Sequence, residues 1–275
     1  MKNMISRLVD TVLCGAMHVL TVLSVAFLVL PLFVVVIVSF NSTTVIFPPR
    51  DWSLASYMQI PQVAIDTFLR SLLLGLCCAT LSVLLCVPAA IAMVKSNLRG
   101  KALIEAALRS PLQFPAIILG VAILQYFYFW QGALAVPLVG TFMGLLIAHT
   151  IYTFPFVLVP TIARLSALSG QYDEAAAGLG AGSLTTLIRV IIPLMRPGIV
   201  AGMFMSFIMS FEDVAVTMFL AGSKMTTFPV YLFGSAEVSN TPGLYAVASL
   251  GSLAALTLVL LVERFIGIRT VLSKG

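Results

Sequence analysis

Charged side chains are scarce. Asp, Glu, Lys and Arg make up 9% of the 275 residues, while 60% are hydrophobic. A soluble domain carries roughly 25% charged residues, so an ordinary aqueous surface does not cover this much apolar side chain. Histidine is nearly absent. His18 and His149 complete the count, and neither belongs to a His-Glu-x-x-His arrangement, which excludes a zinc protease of that type. The Gly-x-x-x-x-Gly-Lys-Ser/Thr loop is missing too. "GKAL" at 100–103 and "GSKM" at 222–225 lack its spacing, so the chain does not cradle a nucleotide by that route. Cysteine is limited to Cys14, Cys77, Cys78 and Cys86, all inside apolar runs. They match no zinc pattern, adjacent Cys77 and Cys78 make poor disulfide partners, and buried inert thiols are expected. No basic face gathers the net charge of +5, so no nucleic-acid partner is expected.

What the sequence has is length of apolar run. Stretches recur near 11–38, 67–94, 112–130, 138–163, 196–221 and 243–262. Each is long enough to cross a bilayer with some tilt. They do not alternate as barrel strands do, so six helices are expected in an all-α integral membrane protein. The first run exceeds a secretory h-region of roughly 7–15 residues and reads as a retained span. With the amino terminus in the cytoplasm, twelve of the fifteen Lys and Arg residues fall inside. Arg50, Arg70 and Lys224 fall outside. Both termini are therefore expected to be cytoplasmic. The inner loops are then 95–111 and 164–195, and the outer loops 39–66, 131–137 and 222–242. No internal repeat is visible. Residues 1–65 form a first helix with its outer loop, 66–263 a membrane core, and 264–275 a short basic tail.

The inner segment Tyr172–Gly198 reads "YDEAAAGLGAGSLTTLIRVIIPLMRPG". Asp173 and Glu174 suit the positive end of a helix dipole, and Ala175, Ala176 and Ala177 continue the helix. Gly178, Gly180 and Gly182 break it. Ser183 is expected to cap a second short helix that Pro193 stops. From the residues alone, two readings stay open: a hairpin lying on the membrane surface, or a knob whose small side chains admit another protein's backbone.

The segment resembles the cytoplasmic motif of permeases from binding-protein-dependent type I ABC importers: Glu-Ala-Ala, three residues, Gly, nine residues, Ile-x-Leu-Pro. Here Glu174-Ala175-Ala176 is followed by Gly180 and by Val190-Ile191-Ile192-Pro193, with Val for Ile and Ile for Leu. The resemblance implies the type I importer permease fold and a coupling helix docked on a separate ATPase. Asp173, Glu174, Ala175, Ala176, Gly180, Ser183 and Pro193 are the coupling residues it implies. It further implies a non-enzymatic subunit of the bacterial inner membrane with no cofactor of its own, ATP and Mg being held by the ATPase. Its partners are two ATPase copies, a second and different permease subunit, a periplasmic substrate-binding protein and membrane lipid.

"SFNSTTVIFPPRDWSLASY" (39–57) and "SFIMSFEDVAVTMFLAG" (206–222) resemble the second permease of spermidine/putrescine-type importers. In span five Glu212 and Asp213 occupy the place of an acidic pair, with Ser210 two residues before it. An acid near the bilayer centre costs about 2.5–3.5 kcal/mol on insertion scales. The pair therefore either faces a cationic substrate or ties span five to a neighbour, and residues about 100° apart on a helix point differently. Trp52 and Tyr57 either stack on a cation or anchor their loop at the interface. Gly198, Gly202, Ser206 and Ser210, four apart, predict close helix packing. His149 reads as a satisfied packing residue rather than a proton carrier. One departure weakens the polyamine assignment: Phe114-Pro115-Ala116-Ile117 lacks the acid that often follows proline there. Monoamines, aminophosphonates, opine-like zwitterions, iron(III) and thiamine stay open. The alternative from another class is an ion-gradient-driven secondary transporter using Glu212, Asp213 or His149, although no repeated halves are visible.

Overall fold

The computed structural model describes residues 2–43, 51–97, 99–168, 170–222, 225–238 and 241–266. Arg50, Lys224, Arg269, Lys274 and most of the expected tail lie outside the described residues. The helices in chain order are α1 (Lys2–Ser39), α2 (Ala55–Met58), α3 (Gln62–Lys95), α4 (Lys101–Arg109), α5 (Ala116–Leu134) and α6 (Phe142–Leu168). They continue with α7 (Gln171–Gly178), α8 (Ser183–Thr186), α9 (Ile192–Phe211), α10 (Thr217–Leu220), α11 (Phe228–Val238) and α12 (Pro242–Ile266). Among the described residues, β pairing is confined to isolated bridges, Asn41 with Trp52 and Gly222 with Met225.

Six segments are long and apolar enough to cross a membrane: Leu13–Ser39, Gln62–Lys95, Ala116–Ala133, Phe142–Leu168, Ser183–Phe211 and Pro242–Leu260. Span five departs from the expected 196–221. It begins at Ser183, runs through a π-helical stretch at Leu187–Ile191, and ends at Phe211. Pro193 does not stop a helix. It lies in the first turn of α9. Its missing N–H and its ring strain the ladder around Arg189, four residues back, and the wide π turn just before it absorbs that mismatch.

The contacts divide the chain into two units. One holds Gln62–Gly234, and the other holds the chain up to Pro61 together with Ser235–Val259. The sixth span thus groups with the first rather than with the expected core.

In the larger unit α6 is the central helix: half of its crossing window is buried, against 6% for the window of α1. α3 and α9 pack on it. Lipid supplies no hydrophobic drive between helices, so close van der Waals approach and interhelical hydrogen bonds hold them together. The expected small-residue stripe supplies both. A Cβ on Gly198 would lie 2.9 Å from Arg164 Cβ and 3.0 Å from the Pro160 carbonyl oxygen. Further along, Ser206 Oγ donates to Thr153 Oγ1 at 2.8 Å, and Ser210 Oγ lies 2.8 Å from His149 Nδ1. The stripe therefore runs antiparallel down α6. From α3, Cys78 Sγ and Ser82 Oγ reach the same Thr153 hydroxyl at 3.1 and 3.2 Å. Leu74, Phe127, Leu145, Val216 and Leu220 close one end of this core, and Leu165, Ile191 and Met195 the other.

All four cysteines are free, but only Cys78 and Cys86 are buried. Cys14 is exposed and Cys77 half-buried, because an apolar run that meets lipid need not bury its side chains in protein.

In the smaller unit the Ser39-Phe40-Asn41 triplet contacts the segment 51–57. The Phe40 ring packs 5.1 Å from that of Tyr57. Tyr57 Oη bonds Ser39 Oγ, and it lies 2.9 Å from Ser249 Oγ on α12. Ser53 N donates to the Phe40 carbonyl at 2.7 Å.

Candidate functional site

The first candidate site is the elbow between spans four and five. Asp173 and Glu174 lie in the first turn of α7, as expected. The helix ends at Gly178, and the chain then closes a Schellman motif. Ala181 N donates to the Ala176 carbonyl at 3.0 Å and Gly180 N to the Ala177 carbonyl at 2.9 Å. This motif places the residue two after the last helical one in the left-handed region, where glycine carries no Cβ penalty. Gly180 is that residue, with φ of 78°. A Cβ there meets nothing within 4 Å, so backbone conformation rather than space calls for glycine. Gly182, extended at φ −71° and ψ 156°, is the N-cap of the next helix. Ser183 therefore does not cap. It is the first helical residue, and its side chain makes no capping bond.

Exposure divides the motif. Glu174 and Ala175 face outward, whereas Ala176 turns toward its own chain, 9% exposed. Of the two alanines expected to seat a partner, Ala175 is exposed and Ala176 is not. Sequence reasoning missed Leu179. It is 90% exposed, a large apolar side chain at the tip of the elbow, flanked by exposed Leu184 and Ile188. The signal was available: a leucine isolated among glycines in a polar loop. Asp173 points elsewhere. Both its oxygens meet Lys95 Nζ at the end of α3, at 2.7 and 2.9 Å.

The second candidate site is the break in span five. Glu212 and Asp213 do not continue the helix. Glu212 is its C-cap, and the backbone is irregular from there to α10. The two acids face opposite environments. Glu212 is exposed, while Asp213 is 6% exposed. The Asp213 carboxylate caps α10, accepting from Thr217 N at 2.8 Å, Thr217 Oγ1 at 2.8 Å and Val216 N at 3.3 Å. Thr217 Oγ1 also lies 2.9 Å from His149 Nε2. A hydroxyl that donates to the carboxylate accepts from Nε2–H, so Nδ1 accepts from Ser210. His149 is thus fully partnered and buried, the packing role expected for it. Ser210, 3% exposed, belongs to this network.

Phe211, the residue before Glu212, belongs to an aromatic cluster that the sequence did not single out. The Phe211 ring sits 5.7 Å from Phe68 and 5.8 Å from Phe207, and Phe68 is 5.2 Å from Phe228. Trp52 is 68% exposed in the smaller unit, held by its bridge to Asn41. Among the described residues no group of His, Cys, Asp and Glu is placed to hold a metal ion.

No protein-family model matches the chain. It is 29% identical over 238 residues to the spermidine/putrescine transport system permease protein PotC of Haemophilus influenzae, covering 86% of this chain and 90% of that one. It is 28% identical over 235 residues to the putrescine transport system permease protein PotI of Escherichia coli, covering 84% of each. Among solved structures, a bacterial ABC transporter involved in the import of the acidic polysaccharide alginate contains a chain that superposes with a TM-score of 0.71 at 18% identity. That likeness covers 93% of this chain and 97% of that one. The fold is that of an ABC transporter permease.

Proposed function

We propose, from that premise, that this chain is the membrane-spanning permease subunit of an ABC importer, and that its cargo is a small amine-bearing solute. The observation that carries it is the joining of two sites by one helix. Span five runs unbroken from Ser183 beside the elbow to Phe211 beside Glu212, 29 residues, or about 43 Å at the α-helical rise.

The elbow is a rigid lever end. α7 is closed by its Schellman bonds, and the extended Gly182 passes the chain directly into span five. Glu174, Ala175 and Leu179 form its outward face, where a groove on an ATPase subunit receives them. ATP and Mg belong to that partner, whose closure displaces the elbow. The displacement travels along span five, and the π stretch with Pro193 and Pro197 is where that helix yields. At the far end it reaches Glu212 and the phenylalanine cluster. An exposed carboxylate next in sequence to a phenylalanine cluster suits an organic cation, in keeping with relatives that bear polyamine names. The absence of an acid at Ala116 favours fewer positive charges than a polyamine carries. The Lys and Arg distribution supports a cytoplasmic elbow, and the bacterial relatives suggest the inner membrane. A second permease subunit and a periplasmic binding protein complete the assembly. The ion-driven alternative has less support, since Asp213 and His149 are occupied with each other's neighbours.

The test is reconstitution. The chain with its partner permease, ATPase and binding protein is placed in proteoliposomes, and uptake of putrescine and of monoamines is followed. ATP-dependent uptake that vanishes without the binding protein is expected. Uptake driven by an ion gradient through this chain alone overturns the proposal.

A further inference from the structure

We infer that the Lys95–Asp173 ion pair is a strut that sets the position of the elbow against the end of α3, so that Asp173 acts within this chain and not as a contact to the ATPase. This rests on the function proposed above for its role in coupling, but not for its role in positioning.

Three observations carry it. First, the geometry is bidentate, with Lys95 Nζ 2.7 Å from Asp173 Oδ1 and 2.9 Å from Oδ2. Each charge is already favoured by its own helix. Lys95 is in the last turn of α3 and Asp173 in the first turn of α7, the ends where the helix dipole prefers a cation and an anion respectively. Second, the pair spans a gap. A cleft of about 730 Å³ lies between the last turns of α3 and α7 and α8, lined by Lys95 and Asp173 together with Ile91, Val94, Leu184 and Leu187. Apolar packing does not fill that space, so the pair sets its width. Third, α7 has eight residues, too few for an isolated helix to hold its place unaided. Its carboxyl end is fixed by the Schellman bonds, and the strut fixes its amino end. Both partners are partly solvated, with side-chain exposures of 27% and 40%. Such pairs add little to global stability, and the strut acts on the elbow's position instead.

Two measurements on Lys95→Glu, Asp173→Lys and the exchanged double variant test this. Amide hydrogen exchange over 171–181 in the purified chain, in lipid nanodiscs, needs no partner. Each single variant is expected to exchange about two- to fivefold faster, with the double variant returning toward wild type. Unchanged exchange in the single variants, or no recovery in the double, overturns the strut. Putrescine uptake per ATP hydrolysed in the full assembly reads coupling, expected to fall in the singles and recover in the double. If wild type itself shows no ATP-driven uptake, the importer function is lost while exchange still decides the strut. Should charge reversal prevent insertion, Lys95→Ala and Asp173→Asn in the same exchange experiment decide it, with faster exchange expected and wild-type exchange overturning it.

Discussion

Gly202 of α9 lies against Val157 of α6 so closely that a Cβ on Gly202 would sit 2.8 Å from the Val157 Cα and 3.2 Å from its carbonyl oxygen. Backbone is the obstacle, and no side-chain rotation relieves it. Gly202→Val therefore forces the two helices apart, breaking the Ser206–Thr153 bond one turn away. Overpacking of this kind costs about 1–3 kcal/mol. A drop in thermal stability of the detergent-purified chain is expected, whereas Gly234→Ala inside α11, where a Cβ meets nothing within 4 Å, should hold or raise it. Equal stability of the two variants would contradict the close crossing.

Gly180 poses the opposite case. Its surroundings are open and its φ is 78°, so the penalty comes from the left-handed backbone, about 1–2 kcal/mol for a residue with a Cβ. Gly180→Ala and Gly180→Leu should therefore lower ATP-coupled uptake to a similar degree, and Gly180→Asn less, because asparagine tolerates this region. A steep dependence on side-chain size at equal expression would instead point to a steric demand from the docked ATPase.

Leu179, at 90% exposure, contributes nothing to the chain's own packing. Leu179→Asp is expected to leave the melting temperature within measurement error while weakening co-purification of the ATPase roughly tenfold or more, in line with loss of a buried interface anchor. Full retention of the ATPase would remove Leu179 from the docking face.

Much of this architecture is legible in the sequence because membrane helices obey few rules. The six apolar runs, the small-residue stripe from Gly198 to Ser210 and the glycine bend all follow from length, spacing and backbone freedom. The misreadings have physical causes. Pro193 looks like a stop, yet a π turn lets the helix continue through it. Ser183 looks like a cap, but Gly182 takes that position. Apolar neighbours suggest buried cysteines, but lipid as solvent leaves Cys14 exposed. Phe68 gives little signal because one apolar residue among many says nothing about where it points, whereas Leu179 stands apart by its glycine neighbours. The Lys95–Asp173 pair joins residues 78 positions apart, a relation that no local pattern encodes.

The acid pair offers the sharpest separation of roles. Glu212 and Asp213 are adjacent in sequence, and helical geometry alone predicts only that they diverge by about 100°. The helix ends at Phe211, before both of them, leaving Glu212 exposed while Asp213 turns inward to cap α10 and meet the His149–Thr217 network. Glu212→Gln keeps the size and removes the charge at an exposed position, so the fold should be unaffected and the apparent affinity for a cationic cargo should fall severalfold, about one tenfold step for each ~1.4 kcal/mol lost. Asp213→Asn retains one acceptor but places an amide donor among the Val216 and Thr217 donors. That conflict in a buried site costs about 1–3 kcal/mol. Its signature is a lower melting temperature and faster proteolysis near 212–220, with cargo selectivity preserved in the protein that folds. Measuring both variants for melting temperature and for the uptake ratio of putrescine to a monoamine resolves the assignment. If Asp213→Asn shifts selectivity at unchanged stability, the buried acid faces the pathway and its capping role is secondary.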